Sequence, residues 1–455
     1  MKKSVTAFIV LLLVCGCSDT QQVTENALNP QPEKGKQTPS ADPDVAAFNQ
    51  DLSQLAELAR DAESKYQFAS AAKIWGQLHQ LFASRFGNDA WQTINANLAY
   101  ESAFARSQFS NEQLKTWKQV ENLQAEAQQH LQAGNIQAAY TATRQLAQLQ
   151  KQLFGGESFV FGQSLVQLAT LDSSVGQFEA SVNNFNDSLQ IFDDLGLLDH
   201  PERIMIHAGL ANAYNNLNKL KTAAANQKEA TRIAGNVWGK QSLEFAMHAN
   251  QLAAIYHRAG NLQVAVEIFE KTLAIRDQNL GGDHQAVAHA CLNLGVVLLD
   301  LRRLDESQQY LSRANRIFVQ ELGSESAIAV RCQERLATTF MLMNAPEKAE
   351  PLLSGIIKAL ATENAPDADA MLTFQYRLAI ALARQGKYDR AEPLLQSVLD
   401  FQQQKFGDED KRTIATLQAY SMLLERTNRS NAANPINERL NRVAHLMDDN
   451  DFQRR

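Results

Sequence analysis

The chain is punctuated every 42 residues. Corners made of an aromatic residue or leucine followed by glycine fall at Phe154-Gly155, Leu195-Gly196, Trp238-Gly239, Leu280-Gly281, Leu322-Gly323 and Phe406-Gly407. Trp238, Leu280 and Leu322 are 42 residues apart, and Phe406 follows Leu322 by two periods, with a degenerate corner at Asn364 between. Phe154 precedes Trp238 by two periods, and there the intermediate corner slips by one residue, to Leu195. A fixed period of this length constrains the fold strongly, because one unit is too small to bury its apolar face alone and must bury it on its neighbours. The 455 residues therefore read as one long array rather than several globular domains.

Within a period the pattern is helix, turn, helix, and the chain reads as all-α. From Leu280 to Glu321, Asp283 is placed to cap a first helix whose apolar positions Val287, Cys291, Leu294 and Leu298 recur at helical spacing. A turn near Arg302-Arg303 follows, then a second helix with Leu304, Tyr310-Leu311, Ala314 and Ile317-Phe318, ended by Gly323. The same slots recur one period apart. Leu210, Leu252, Leu294, Leu336 and Leu378 form a large column, and Ala211, Ala253, Gly295, Ala337 and Ala379 a small one beside it. The second helices carry Ala223, Ala265, Ser307, Ala349, Ala391 and Ala433. Small residues in these columns predict close helix approach.

These residues resemble the tetratricopeptide repeat in its 42-residue, kinesin-light-chain-like form. Leu280-Gly281-Gly282-Asp283-His284-Gln285, the run from Gln385 to Leu394, and Asp199-His200-Pro201 carry the resemblance. It covers about residues 45–449 and implies a right-handed superhelical solenoid of antiparallel helix pairs whose first helices line a concave, partner-binding groove. Two features depart from a plain array. Phe86-Gly87 to Phe154-Gly155 is 68 residues, which predicts an extra helix at about 89–108 and sets off an N-terminal unit, 45–111, from the main array, 112–449. The last helix, about 430–449, carries Asn431, Asn434, Asn437, Arg439, Asn441 and Arg442, the polar face expected of an end cap before a polar tail at 450–455.

At the N-terminus, Lys2 and Lys3 precede an apolar run from Val5 to Val14, too short to span a bilayer, then Cys15-Gly16-Cys17. Val14-Cys15-Gly16-Cys17 resembles a bacterial lipobox, with Cys17 the better acceptor because Gly16 fits the small site before the cut. The resemblance implies a signal peptide over 1–16, lipidation of Cys17 and a permanent membrane anchor. Ser18 in place of Asp implies the outer membrane facing the periplasm, with the inner membrane or cell surface as alternatives. Residues 17–44, rich in polar residues and containing Pro30, Pro32, Pro39 and Pro43, read as a flexible tether.

No catalytic constellation stands out, and the chain reads as a non-enzyme without cofactor or metal. The nine histidines form no His-x-x-x-His pair, there is no Cys-x-x-Cys, and the glycines sit at turns. A net charge of −7 with no basic stripe argues against nucleic acid. Cys291 and Cys332 lie 41 residues apart, and one residue short of the period turns one of them about 100° from its slot. That predicts two buried thiols rather than a disulfide.

On the resemblance, two slots of each first helix face the groove. One reads Gln167, Gly209, Gln251, Asn293, Arg335, Arg377 and Ala419; the other, one turn earlier, reads Gln163, Met205, Met247, His289, Arg331 and Thr373. Together Gln167, Gln251, His289, Asn293, Arg331, Arg335 and Arg377 form the candidate site, an amide-rich stretch followed by a basic cluster. Asn293, Arg331 and Arg335 match in type three of the five positions by which some relatives hold a C-terminal carboxylate; Asn250 and Ala254 occupy the other two and do not match. The competing reading pairs Arg331 and Arg335 with Glu334 on a solvated face. The expected function is a membrane-anchored scaffold binding a protein or peptide in the groove, and the alternative is a regulator that changes curvature on binding a peptide.

Overall fold

Helix after helix follows from the apolar spacing, and the turns between them decide where each ends. The computed structural model describes residues 43–361 and 368–452, with the side chains of 51–361 and 368–442. Among the described residues there are nineteen helices and no strand. The first three are α1 (Pro43–Ser64), α2 (Phe68–Phe86) and α3 (Trp91–Ser107). Eight helix pairs follow. They are α4 (Asn111–Gln132) with α5 (Ile136–Phe154), α6 (Phe159–Ser174) with α7 (Phe178–Asp194), and α8 (Glu202–Asn216) with α9 (Leu220–Trp238). Next come α10 (Leu243–Arg258) with α11 (Leu262–Leu280), and α12 (Gln285–Asp300) with α13 (Leu304–Leu322). The last are α14 (Ala327–Leu342) with α15 (Pro346–Ala361), α16 (Ala368–Arg384) with α17 (Tyr388–Phe406), and α18 (Lys411–Arg426) with α19 (Ser430–Phe452). The extra helix expected at about 89–108 is α3. Residues 1–42, with the lipobox-like segment and most of the tether, and Asn364 lie outside the described residues. No helix among the described residues is long and apolar enough to cross a membrane.

The 42-residue period is carried by backbone geometry at two kinds of turn. At the corners, Gly87, Gly155, Gly239, Gly281, Gly323 and Gly407 have φ of 77–89°. With ψ near 160° at Gly155 and Gly323, this is a region that only glycine occupies at low cost. Inside each pair, a left-handed residue falls at Gly134, Gly176, Asn218, Gly260, Arg302, Asn344, Gly386 and Asn428, each 42 residues after the last. The inner turn thus keeps the period through Leu195, where the outer corner slips.

The columns meet at helix crossings. Every leucine of the large column is buried, as are Ala223, Ala265, Ser307, Ala349, Ala391 and Ala433. Where the small residue is serine, its hydroxyl donates to the facing helix: Ser181 Oγ to the Ala169 carbonyl and Ser307 Oγ to the Gly295 carbonyl, both at 2.7 Å. A Cβ on Gly295 would stand 2.6 Å from Leu311 Cγ, and one on Gly209 would collide with the Phe185 ring. These close approaches let the large column fill the remaining space at the density of a protein interior.

Two local expectations are revised. His284, not Asp283, caps α12, its Nδ1 accepting from the Ala286 amide at 3.0 Å. Asp283 instead accepts from Arg316 at 2.6 Å, as Asp199 does from Arg232 at 2.7 Å, tying each corner to the second helix of its own repeat. In α19, Asn437 and Arg439 turn toward the array rather than outward. Asn437 accepts from Ser421 at 2.6 Å, and Arg439 clasps Asp408. Cys291 and Cys332 are buried free thiols, and burial, with Cys291 nearby, pushes the Cys332 thiol up to about 12. The backbone contacts divide the chain between Asn279 and Leu280 into two units.

Two substitutions probe these constraints. Gly209→Ala should destabilise by about 1–3 kcal/mol, because the rigid Phe185 ring must move to admit one methyl group; a lower urea midpoint checks it. Arg302→Gly should raise the midpoint by the equivalent of about 0.5–1 kcal/mol, relieving a left-handed side chain that is exposed and not needed for packing.

Candidate partner-binding site

In the unit from Leu280 onward, three successive first helices, α12, α14 and α16, present the predicted slots at one-period intervals. His289 and Asn293 stand on α12, Arg331 and Arg335 on α14, and Arg377 on α16. The backbones of α12 and α14 are in contact. His289 is half-buried, its ring edge-on to Phe318 with centroids 5.0 Å apart, and Asn293 is half-buried one turn later.

Arg331 and Arg335, one turn apart, are exposed, and neither makes a side-chain hydrogen bond or ion pair among the described residues. Glu334, which the sequence offered as their partner, is taken elsewhere. Its Oε1 accepts from Arg377 Nη1 at 2.9 Å, across one repeat. Arg377 is further held by stacking over Phe374, 5.6 Å from the ring centroid. The pair is partly open to solvent, with side chains 40% and 25% exposed, so it orients Arg377 more than it stabilises the fold. The result is one positioned guanidinium beside two that, among the described residues, have no side-chain partner. Such a surface suits an anion, and a planar guanidinium suits a carboxylate in particular.

In the unit up to Asn279, two of the predicted amides are engaged within the protein itself. Gln251 Oε1 accepts from Gln227 Nε2 at 3.2 Å, and Gln163 donates to Glu202 at 2.6 Å. Gln167 is half-buried on α6. The two slots of α8 are half-buried as well: Phe185 packs on Gly209, and Met205 joins an apolar cluster with Phe159, Phe192 and Ile206. One period later the slot of Met205 is occupied by Met247, which is 43% exposed.

The difference traces to α3. Ile94 and Leu98 of α3 pack against that same cluster from α6, α7 and α8. His200, at the start of α8, is buried and reaches Asn95 of α3 with Nε2 to Oδ1 at 2.6 Å. Its Nδ1 accepts from the Glu202 amide at 3.3 Å, which leaves the proton on Nε2 to be donated to Asn95. Burial drives the His200 imidazole down to about 3, so it stays neutral. This contact spans 105 residues. Its only sequence signal is that α3 has apolar residues on two opposite sides, Ala96 and Ala103 on one, Ile94 and Leu98 on the other. Among the described residues no group of three or more His, Cys, Asp or Glu side chains is placed to hold a metal ion.

Comparison with known proteins agrees with the repeat. No curated protein matches the chain. Solved structures that it is similar to include the apo form of the quorum sensor NprR of B. thuringiensis, at 11% identity and a TM-score of 0.48, covering 85% of this chain and 99% of that one. A tetratricopeptide repeat protein of Parabacteroides merdae is 13% identical with a TM-score of 0.42, covering 68% and 99%. Kinesin-light-chain repeats of Podosopora anserina are 22% identical with a TM-score of 0.39, covering 44% and 94%. The tetratricopeptide repeat family matches residues 244–314 and 370–440. Those two stretches are tetratricopeptide repeats.

Proposed function

We propose that the protein is a membrane-tethered interaction scaffold of the cell envelope, and that its unit from Leu280 onward captures a protein segment ending in, or rich in, carboxylates. The observation that carries the binding reading is the pair of exposed guanidiniums of Arg331 and Arg335, unpaired among the described residues, beside the oriented Arg377. A carboxylate arriving there forms charge-assisted, two-pronged hydrogen bonds without first breaking an internal ion pair. The half-buried Asn293, one repeat earlier, stands in the slot equivalent to that of Arg335. Helical repeats of this kind hold extended or helical peptides along the faces of their first helices.

The tethering reading rests on sequence. Lys2 and Lys3, the short apolar run and Val14-Cys15-Gly16-Cys17 support export and lipidation at Cys17, with the outer membrane facing the periplasm as the destination. A scaffold reading fits a chain that offers an array of helix surfaces; assembly factors of an envelope machine are the partner class it suits.

Two experiments test this. A fluorescent peptide of Asp and Glu with a free C-terminal carboxylate should bind the full chain, more weakly at higher salt. Arg335→Ala should weaken it by about tenfold, and Arg331→Glu with Arg335→Glu should abolish binding while leaving thermal unfolding unchanged. Undiminished binding to the double reversal overturns the site. Separately, Cys17→Ser should move the protein from the membrane to the soluble fraction on cell fractionation; retention in the membrane would remove the lipid anchor from the proposal.

A further inference from the structure

Helix α3 is covered nearly all round. Residues 91–100 are all buried or half-buried, which is unusual for a helix lying outside the regular helix pairs. One side belongs to α1 and α2. Ala96 and Ala103 are buried there with Trp75, Leu78 and Phe82, and Tyr100 lies over Gly76. Thr93 Oγ1 donates to the Gly87 carbonyl at 2.8 Å, fixing the start of α3 against its own unit. The opposite side, Ile94, Asn95 and Leu98, touches the array. The two attachments differ in kind. On α2 the backbones approach closely and small residues interlock, with α1 side chains in the same cluster, whereas toward α6 and α8 the contact runs through a few side chains.

What α3 covers in the array has the composition of a helix-binding surface. Phe159, Met205 and Ile206 supply apolar area on the first helices, and the neutral His200 supplies one directed hydrogen bond. A helix satisfies it with two branched apolar residues one turn apart and an amide beside the first, the pattern Ile94-Asn95-x-x-Leu98. That is recognition of a helix by anchors at i and i+4 on a groove-lining face. One period further on, the slot equivalent to Met205 is exposed, at Met247.

We propose that the surface of α6–α8 is a helix-binding site occupied in cis by α3, and that a partner helix with the same branched-apolar and amide pattern binds by displacing it. Arg106 marks where the N-terminal helices stay attached when α3 leaves. Its guanidinium pairs with Glu63 at 2.9 Å and lies between the rings of Phe68 and Trp117, 5.0 and 5.1 Å from their centroids. Trp117 belongs to α4, so α1–α3 remain tied to the first helix pair at one end while the Ile94–Leu98 end is released. A tethered occupant competes at an effective concentration on the order of millimolar, so the site is closed to free partners at micromolar concentration until α3 is weakened.

The inference deepens the scaffold reading by adding a second binding surface, and it stands apart from the arginine cluster. The acidic peptide above reports on Arg331 and Arg335 in the other unit, so either reading can fail without the other. The probe here is a fluorescein-labelled peptide of residues 89–108. Full-length protein carrying Ile94→Asp and Leu98→Asp should bind it at least about tenfold more tightly than the wild type, because the tethered competitor is removed. The peptide bearing the same two substitutions should not bind, and His200→Ala in the variant protein should weaken the wild-type peptide. The proposal is overturned if the double variant keeps wild-type helical content and melting yet binds the peptide no better than the wild type does. It is equally overturned if the wild type already binds as tightly as the variant. Should the aspartates unfold the protein, Asn95→Ala with Leu98→Ala leaves the face toward α1 and α2 intact and is judged by the same two criteria.

Discussion

Close approach of helices at small side chains is the constraint on which the rest of this structure depends. Alanine, glycine or serine stands at each crossing from Ala211 to Ala433, and each is buried. A larger residue there would separate the helices and open space around the leucine column, at a cost of several kcal/mol per site in lost packing. Because neighbouring repeats within each unit bury apolar faces on one another, the same economy of volume has to be satisfied from repeat to repeat. Electrostatics plays a smaller part. Ion pairs such as Arg232 with Asp199 and Arg316 with Asp283 are solvent-exposed and orient corners rather than hold the fold.

The two candidate surfaces differ in how they are kept ready. At Arg331, Arg335 and Arg377, Glu334 pairs with the arginine of the next repeat, and among the described residues the other two guanidiniums have no side-chain partner. That surface is open and basic. At α6–α8 the surface is apolar, with a single neutral hydrogen-bond donor, and is covered by a helix of the same chain. An exposed apolar patch of this sort is a liability for association, and covering it with α3 removes that liability.

Much of the fold was legible in the residues. The period, the helix pairs, the extra helix before Asn111, the buried columns and the two free thiols all follow from spacing. Local detail was less so. Whether Asp283 or His284 caps α12 depends on which side chain Arg316 engages, and Asn437 and Arg439 face inward because Ser421 and Asp408 await them. Among the candidate site residues, Arg331, Arg335 and Arg377 share their expected slots. Gln251 is drawn into a hydrogen bond with Gln227, which no spacing rule announces.

By itself, the sequence determined a stack of helix pairs with a 42-residue period, because contacts between neighbouring repeats recur at fixed separations and leave a periodic trace in residue size. Only the tertiary structure decided which arginines stay free, and that α3 turns its second apolar side onto α6–α8. Those outcomes rest on single contacts, Glu334 to Arg377 and Asn95 to His200, where competing partners lie within reach. Such a contact leaves no period behind, and which partner wins is settled only when the backbone has placed them all.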